Sequence, residues 1–327
     1  MQSISDRIPE KQRSVSAVVG LFLLVTGLVW IAGCTAPYTK GQMLEPIQQH
    51  TEITAGRVAV DANLNMHYIE AGSGSPVVLI HGWLCTAGFW QKQIPALSEN
   101  HRVVAVDLIG CGYSDKPLND DISYSTDNQA RWVLALMDRL GLERASIIGH
   151  SLGGHIATKI ALAAPERLDK LVLLSAAGFS ENPRLLPWYL RAGRFLNLDG
   201  MALMLASRTS VTAATKLCMY HPDSPVDEFF IDQLMGTTFA SRRNRLASVK
   251  LTHEALFHDF VDDRIPDITA PTLLVWGIND EVVPPKLGLR YLGLMPNASL
   301  SLIEKAGHLM PLERPERLNR ELINFLK

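Results

Sequence analysis

The chain has 327 residues, 47% of them hydrophobic and 20% charged, with a formal net charge of −2. Those proportions describe an ordinary globular chain with a sizeable core, and the near-neutral balance leaves no basic footprint for nucleic acid. The four cysteines show no zinc spacing and no glycine-rich loop suggests a nucleotide, so neither metal nor cofactor is expected.

In chain order, Lys11 and Arg13 precede an uncharged run from Ser14 to Gly33 that ends Ile31-Ala32-Gly33-Cys34. A basic start, an apolar stretch and small residues at its end form the grammar of a signal peptide. Small residues directly before a cysteine resemble a bacterial lipoprotein box, which makes lipidated Cys34 the expected mature N-terminus. The alternatives are an uncleaved anchor, since a span needs ~20 apolar residues, and ordinary cleavage near Ala36. Each places the rest of the chain outside the cytosol, meeting the membrane through its N-terminus. Residues 1–33 are thus read as leader or anchor, and 34–54 as a polar spacer.

Beyond the spacer, Arg57–Val60 and Leu64–Ile69 form a hairpin across Asp61-Ala62-Asn63. Strands and helices then alternate, as a parallel sheet requires. Strands are expected at Val77–Ile80, Arg102–Val106, Ala145–Ile148, Lys170–Leu174, Pro271–Trp276 and Ala298–Ile303. Between Phe179 and about Asp267 no strand pattern occurs. Helical patterns fill that stretch, at Leu185-Leu186-Trp188-Tyr189-Leu190, Met201-Leu203-Met204-Leu205 and Phe229-Phe230-Leu234-Met235. Within it, Arg242-Arg243-Asn244-Arg245 reads as a solvated helix face, with anionic lipid headgroups as a second option.

The chemistry concentrates at Gly149-His150-Ser151-Leu152-Gly153, between the Ala145–Ile148 strand and a helix over Gly154–Ala163. Small residues two positions either side of Ser151 allow a sharp strand-to-helix turn that exposes its hydroxyl. The alternative is a serine that caps the helix. A serine nucleophile needs a base and a third group that orients the base. Asp280 follows the Pro271–Trp276 strand, and His308 follows the Ala298–Ile303 strand. Asp280 has helix capping as its competing role.

These features resemble the α/β-hydrolase superfamily, and the likeness spans most of the chain. His81-Gly82-Trp83 is similar to that family's oxyanion loop, and Asp107-Leu108-Ile109-Gly110-Cys111-Gly112-Tyr113-Ser114 to its second conserved loop. The resemblance implies an α/β fold with an eight-stranded, mostly parallel sheet flanked by helices. The core would be residues 55–178 and 268–327, with a helical cap, 179–267, inserted before the penultimate strand. It implies Ser151, Asp280 and His308 as the triad, with the Trp83 and Leu152 backbone N–H groups as the oxyanion hole. His81 and Asp107 are read as structural, and His150 and His155 as neighbours that shape the site. With Cys34 assigned to lipid, Cys85, Cys111 and Cys218 are left. Their odd number rules out full pairing, and Cys85 and Cys111, after neighbouring strands, form the one candidate bridge.

A serine at position 151 points to acyl transfer and then hydrolysis. The leading expectation is a carboxylic-ester hydrolase acting on small-molecule acyl esters or lipids. A C–C bond hydrolase of the meta-cleavage type or a perhydrolase, with the same triad, is the alternative. A non-enzymatic binding protein on this fold is the third. The oligomeric state is left open.

Overall fold

A computed structural model describes residues 45–180, 198–220, 225–256 and 258–327. The leader, Cys34, most of the spacer and the Leu185–Leu190 helical pattern lie outside the described residues. The apolar runs become strands β1 (Ile53–Asp61), β2 (Leu64–Ala71), β3 (Ser75–Ile80), β4 (His101–Val106), β5 (Ala145–His150), β6 (Leu168–Leu174), β7 (Thr272–Gly277) and β8 (Ala298–Ile303). They form one sheet in the order β1-β2-β4-β3-β5-β6-β7-β8. The first two joins, β1 to β2 and β2 to β4, are antiparallel, and the remaining pairs are parallel. β1 begins four residues earlier than its apolar pattern suggests, because Ile53 to Gly56 pair in register with Ala71 to Tyr68.

Alternate residues of the central strands go to opposite faces, as a two-residue side-chain period dictates. Val78, Ile80, Val104, Val106, Ile147, Leu171, Leu173, Leu274 and Trp276 pack on one side. Val77, Leu79, Val103, Ala105, Ile148, Val172, Leu174, Leu273 and Val275 pack on the other. The first face is covered by α1 (Thr126–Arg139), α2 (Leu152–Ala163) and α7 (Pro285–Leu294), through Trp132, Leu136, Ile156, Ile160, Leu287 and Tyr291. Leu318, Leu322 and Leu326, four apart on α8 (Pro315–Leu326), cover the second. Each such buried leucine contributes ~1.5–3 kcal/mol.

Between β6 and β7 the described chain is helical: α3 (Leu198–Met204), α4 (Arg208–Leu217), α5 (Glu228–Gly236) and α6 (Arg242–Ala255). Ser207, Asp227 and Ser241 cap the last three of these at their N-termini. The insert is tied into both faces of the sheet. Ala247, Leu251 and Ala255 join one apolar cluster, and Leu203, Val211, Phe230, Ile231 and Leu234 join the other.

One expectation here is corrected. Arg242 and Arg243 are exposed, but Arg245 is half-buried, and its guanidinium donates to the carbonyls of Leu203, Met204, Ala206 and Phe239. Leu203 and Met204 end α3 and Ala206 lies two residues beyond it, where carbonyls have no partner within the helix. A cation there satisfies them, so Arg245 is structural and not a solvated face. Among the described residues no helix is long and apolar enough to cross a membrane.

Candidate active site

Ser151 occupies the joint between β5 and α2 at φ 53° and ψ −117°, a conformation that a non-glycine residue adopts only under constraint. The constraint is visible. Ser151 N–H donates to the Leu174 carbonyl at 3.0 Å, and its own carbonyl accepts from Gly154, His155 and Ala177 at 3.0–3.2 Å. The turn closes because Gly153 lies against the end of β3: a Cβ there would sit 2.2 Å from the Ile80 carbonyl oxygen. Strand, elbow and helix therefore fix the serine from three sides.

Two loops at the carboxyl ends of β7 and β8 supply its partners. His308 Nε2 lies 3.0 Å from Ser151 Oγ, and His308 Nδ1 lies 2.8 Å from Asp280 Oδ2. An ionised carboxylate can only accept, so Nδ1 carries the proton and Nε2 keeps its lone pair for the Ser151 hydroxyl. Asp280 is buried, and its other oxygen accepts from Val282 and Val283 N–H at 2.9 and 2.8 Å. The carboxylate is thus anchored by its own loop while it orients the imidazole. Both competing roles weighed from the sequence, helix caps at Ser151 and Asp280, are absent as side-chain bonds: no side-chain cap is formed at the start of α2 or α7.

The loop after β3 lies directly against the elbow. A Cβ on Gly82 would meet Ser151 Cβ at 3.2 Å and His150 Nδ1 at 2.9 Å. Trp83 and Leu84, the latter at φ 60°, follow Gly82 in this loop. Leu152 is the first residue of α2, so its N–H has no carbonyl one turn earlier within the helix. The insert braces this loop from above. Trp83 Nε1–H donates to Thr252 Oγ1 at 2.9 Å, and Thr238 Oγ1–H donates to the Leu84 carbonyl at 2.9 Å. Thr252 and Thr238 carry no local sequence signal and were not identifiable from it.

His81, His150 and His155 each have structural partners. His81 Nε2 accepts from Leu108 N–H at 3.1 Å and its Nδ1–H donates to the Gly82 carbonyl at 2.7 Å, which pins the two loops together. Burial lowers its pKa. His150 lies between Phe89 and His308, each ring centroid 4.8 Å away, and its Nε2–H donates to the His308 carbonyl. Burial, and then the proximity of the His308 ring, holds His150 well below the ordinary histidine range. A neutral ring is therefore packed beside the proposed base. His155 Nε2–H donates to the Asp259 carbonyl at 3.0 Å.

Asp107 anchors its loop. It accepts from Ala87 N–H, Tyr113 N–H and His67 Nδ1 at 2.6–2.8 Å. Burial opposes its ionisation, but the His67 bond and charge outweigh that and hold it well below the usual carboxylate range. Cys85, Cys111 and Cys218 are free thiols, so the candidate Cys85–Cys111 bridge is not formed. Among the described residues no group of three or more His, Cys, Asp or Glu side chains is arranged to hold a metal ion.

Comparison with known proteins follows from this geometry. The sequence pattern of the family described as "alpha/beta hydrolase fold" matches residues 75–315. The chain is 33% identical over 284 residues to 2-hydroxy-6-oxononadienedioate/2-hydroxy-6-oxononatrienedioate hydrolase 2 of Pseudomonas putida, covering 82% of this chain and 93% of that one. Among solved structures it is similar to a serine hydrolase involved in carbazole degradation, at 26% identity and TM-score 0.70, over 84% of this chain and 99% of that one. It is also similar to a bacterial membrane phospholipase A, at 25% identity and TM-score 0.73, over 95% of this chain and 97% of that one.

Proposed function

This chain belongs to the α/β-hydrolase family, and we propose that it is a serine hydrolase of carboxylic esters, acting on acyl esters or small lipids. The observation that carries the reading is the unbroken chain from Ser151 Oγ through His308 to buried Asp280. In this mechanism His308 Nε2 takes the Ser151 proton as Oγ attacks the ester carbonyl. The N–H groups of Leu152 and Trp83 stabilise the oxyanion, and His308 returns the proton to the leaving alcohol. Water then repeats the sequence on the acyl-enzyme. The acyl group would lie under the cap, where Phe89 meets Phe230 at 5.9 Å and shares an apolar cluster with Leu234 and Phe239. The likeness to a membrane phospholipase A supports a lipid ester.

A second reading, hydrolysis of a C–C bond in a vinylogous diketone by the same triad, is favoured by the Pseudomonas putida relative. Its name specifies a dienedioate, a substrate with two carboxylates. The test is turnover of p-nitrophenyl esters of graded chain length beside a vinylogous diketone, with Ser151→Ala as control. Ester turnover lost in the variant supports the first reading; diketone turnover alone supports the second and sinks the first.

For location, we propose export with a membrane tether at lipidated Cys34, on the strength of the leader pattern. Labelled palmitate should enter the membrane-bound protein and be lost in Cys34→Ala; an unlabelled, wholly soluble native protein would end that reading.

A further inference from the structure

The base loop and the cap meet at one carboxylate. Glu313 ends a short helical turn, Met310–Glu313, that begins just after His308. Its Oε1 accepts from Gly307 N–H at 3.0 Å, and its Oε2 accepts from Tyr220 N–H at 2.6 Å. Gly307 immediately precedes His308, whereas Tyr220 lies just beyond α4 of the cap. Two more contacts join the same pair of segments. His308 N–H donates to the Cys218 carbonyl at 2.8 Å. Gly307 lies flat on the cap backbone, where a Cβ would come within 2.6–2.7 Å of Met219 C, Cys218 O and Tyr220 N.

The position is unfavourable for a charge. Burial raises the Glu313 pKa, the two N–H bonds work against that, and the nearby Asp280 charge adds to it. A glutamine or an apolar side chain would avoid the cost; a carboxylate repays it only by accepting from two donors at once.

We propose that Glu313 is a positioning residue whose carboxylate clamps the cap backbone at Tyr220 to the base loop at Gly307. Docking of the cap and placement of His308 over Ser151 are then a single event. The proposal rests on His308 being the base of the ester hydrolysis proposed above. Glu313 touches no reacting atom. It acts through the backbone that carries the imidazole, and a displacement of about 1 Å there costs as much as 10²-fold in rate.

The experiment pairs kinetics with hydrogen exchange in the full chain. Glu313→Gln keeps the size but leaves one oxygen to accept and turns an NH₂ toward the second donor. Expected is a fall in kcat of about tenfold to hundredfold with KM within twofold, since substrate contacts are untouched. Exchange should quicken in residues 216–220 and 304–308 together, with 145–163 unchanged. Wild-type kcat and protection in E313Q overturn the proposal, as does faster exchange spread evenly over the sheet, which marks a merely structural role. If E313Q does not fold, Glu313→Asp serves: it keeps the charge but is one methylene too short for both donors, and wild-type behaviour in it also overturns the clamp. A wild-type protein inactive on every ester overturns the functional reading instead, while the exchange arm still judges the clamp.

Discussion

Lowering the pH through the histidine range should destabilise this fold, and His155 gives the effect a size. Its imidazole is 3% exposed and sits on α2, one turn past Ser151, bonded to the Asp259 carbonyl where the chain returns from the cap. Burial lowers its pKa from 6.5 to about 4, against the opposing effect of the Asp259 bond. The unfolded chain therefore binds a proton near pH 6.5 and the folded chain only near pH 4. Between those values the unfolded state holds more protons, so stability rises with pH. The His155 contribution is fully present above about pH 6.5 and is lost as the pH falls toward 4. Two-state linkage over that window gives a loss of about 2 kcal/mol at pH 5 relative to pH 8. The assay is urea unfolding of wild type and His155→Gln at both pH values, the glutamine amide being still able to donate to Asp259. His150 shifts in the same direction but is common to both proteins, so subtraction isolates His155. Wild type should lose about 2 kcal/mol more than the variant over that interval. Equal losses would refute a neutral buried His155.

Three further outcomes follow from single contacts. Asp280→Asn keeps an oxygen for Val282 and Val283 but turns an amide N–H toward His308 Nδ1, moving the ring proton to Nε2; kcat should fall by about 10³–10⁴-fold with the fold intact by circular dichroism. Thr252→Val leaves the Trp83 indole N–H without its acceptor, at a cost of about 1–3 kcal/mol, and should lower both melting temperature and kcat, with Thr252→Ser restoring both. Gly153→Ala drives a methyl to within 2.2 Å of the Ile80 carbonyl, a backbone atom that cannot yield, so about 1–3 kcal/mol of stability should disappear in chemical denaturation along with the elbow geometry.

The elbow was legible in the sequence because its chemistry is local. A buried strand, small residues around Ser151 and a helix start occupy about fifteen consecutive residues, and each end is specified by its own periodicity. Asp280 and His308 were legible because each lies in a short loop after an apolar strand, downstream of Ser151 in the Ser…Asp…His order that the family resemblance implies. The braces were not. Trp83 reaches Thr252 across 169 positions, and Thr238 reaches Leu84 across 154, because the cap folds back over loops laid down before it. A threonine on a helix has no spacing rule that reveals such a partner. Arg245 was misread on the same account, since the α3 carbonyls that claim it come some forty residues earlier. Glu313 lies near His308 in sequence, yet its second donor, Tyr220, belongs to the cap.

Local pattern therefore specifies the reaction type, and long-range packing of the cap specifies how the reacting groups are held and what they meet. This division accounts for the likeness of one chain to both a phospholipase and a dienedioate hydrolase. The strand-turn-helix grammar constrains a serine, a base and an acid, and it is indifferent to the bond cleaved. Here the helical insert meets the His308 loop through Glu313, the loop after β3 through Thr238 and Thr252, and Phe89 through Phe230. A substitution that repacks α5 or α6 to admit a new substrate must therefore preserve those three contacts. Changes at Leu234, which bonds to neither loop, should alter chain-length preference at nearly constant kcat, whereas changes at Thr252 should lower kcat for every ester alike. Measured on one series of p-nitrophenyl esters, the two behaviours separate; equal effects on kcat and on preference at both positions would mean that the cap does not divide the work in this way.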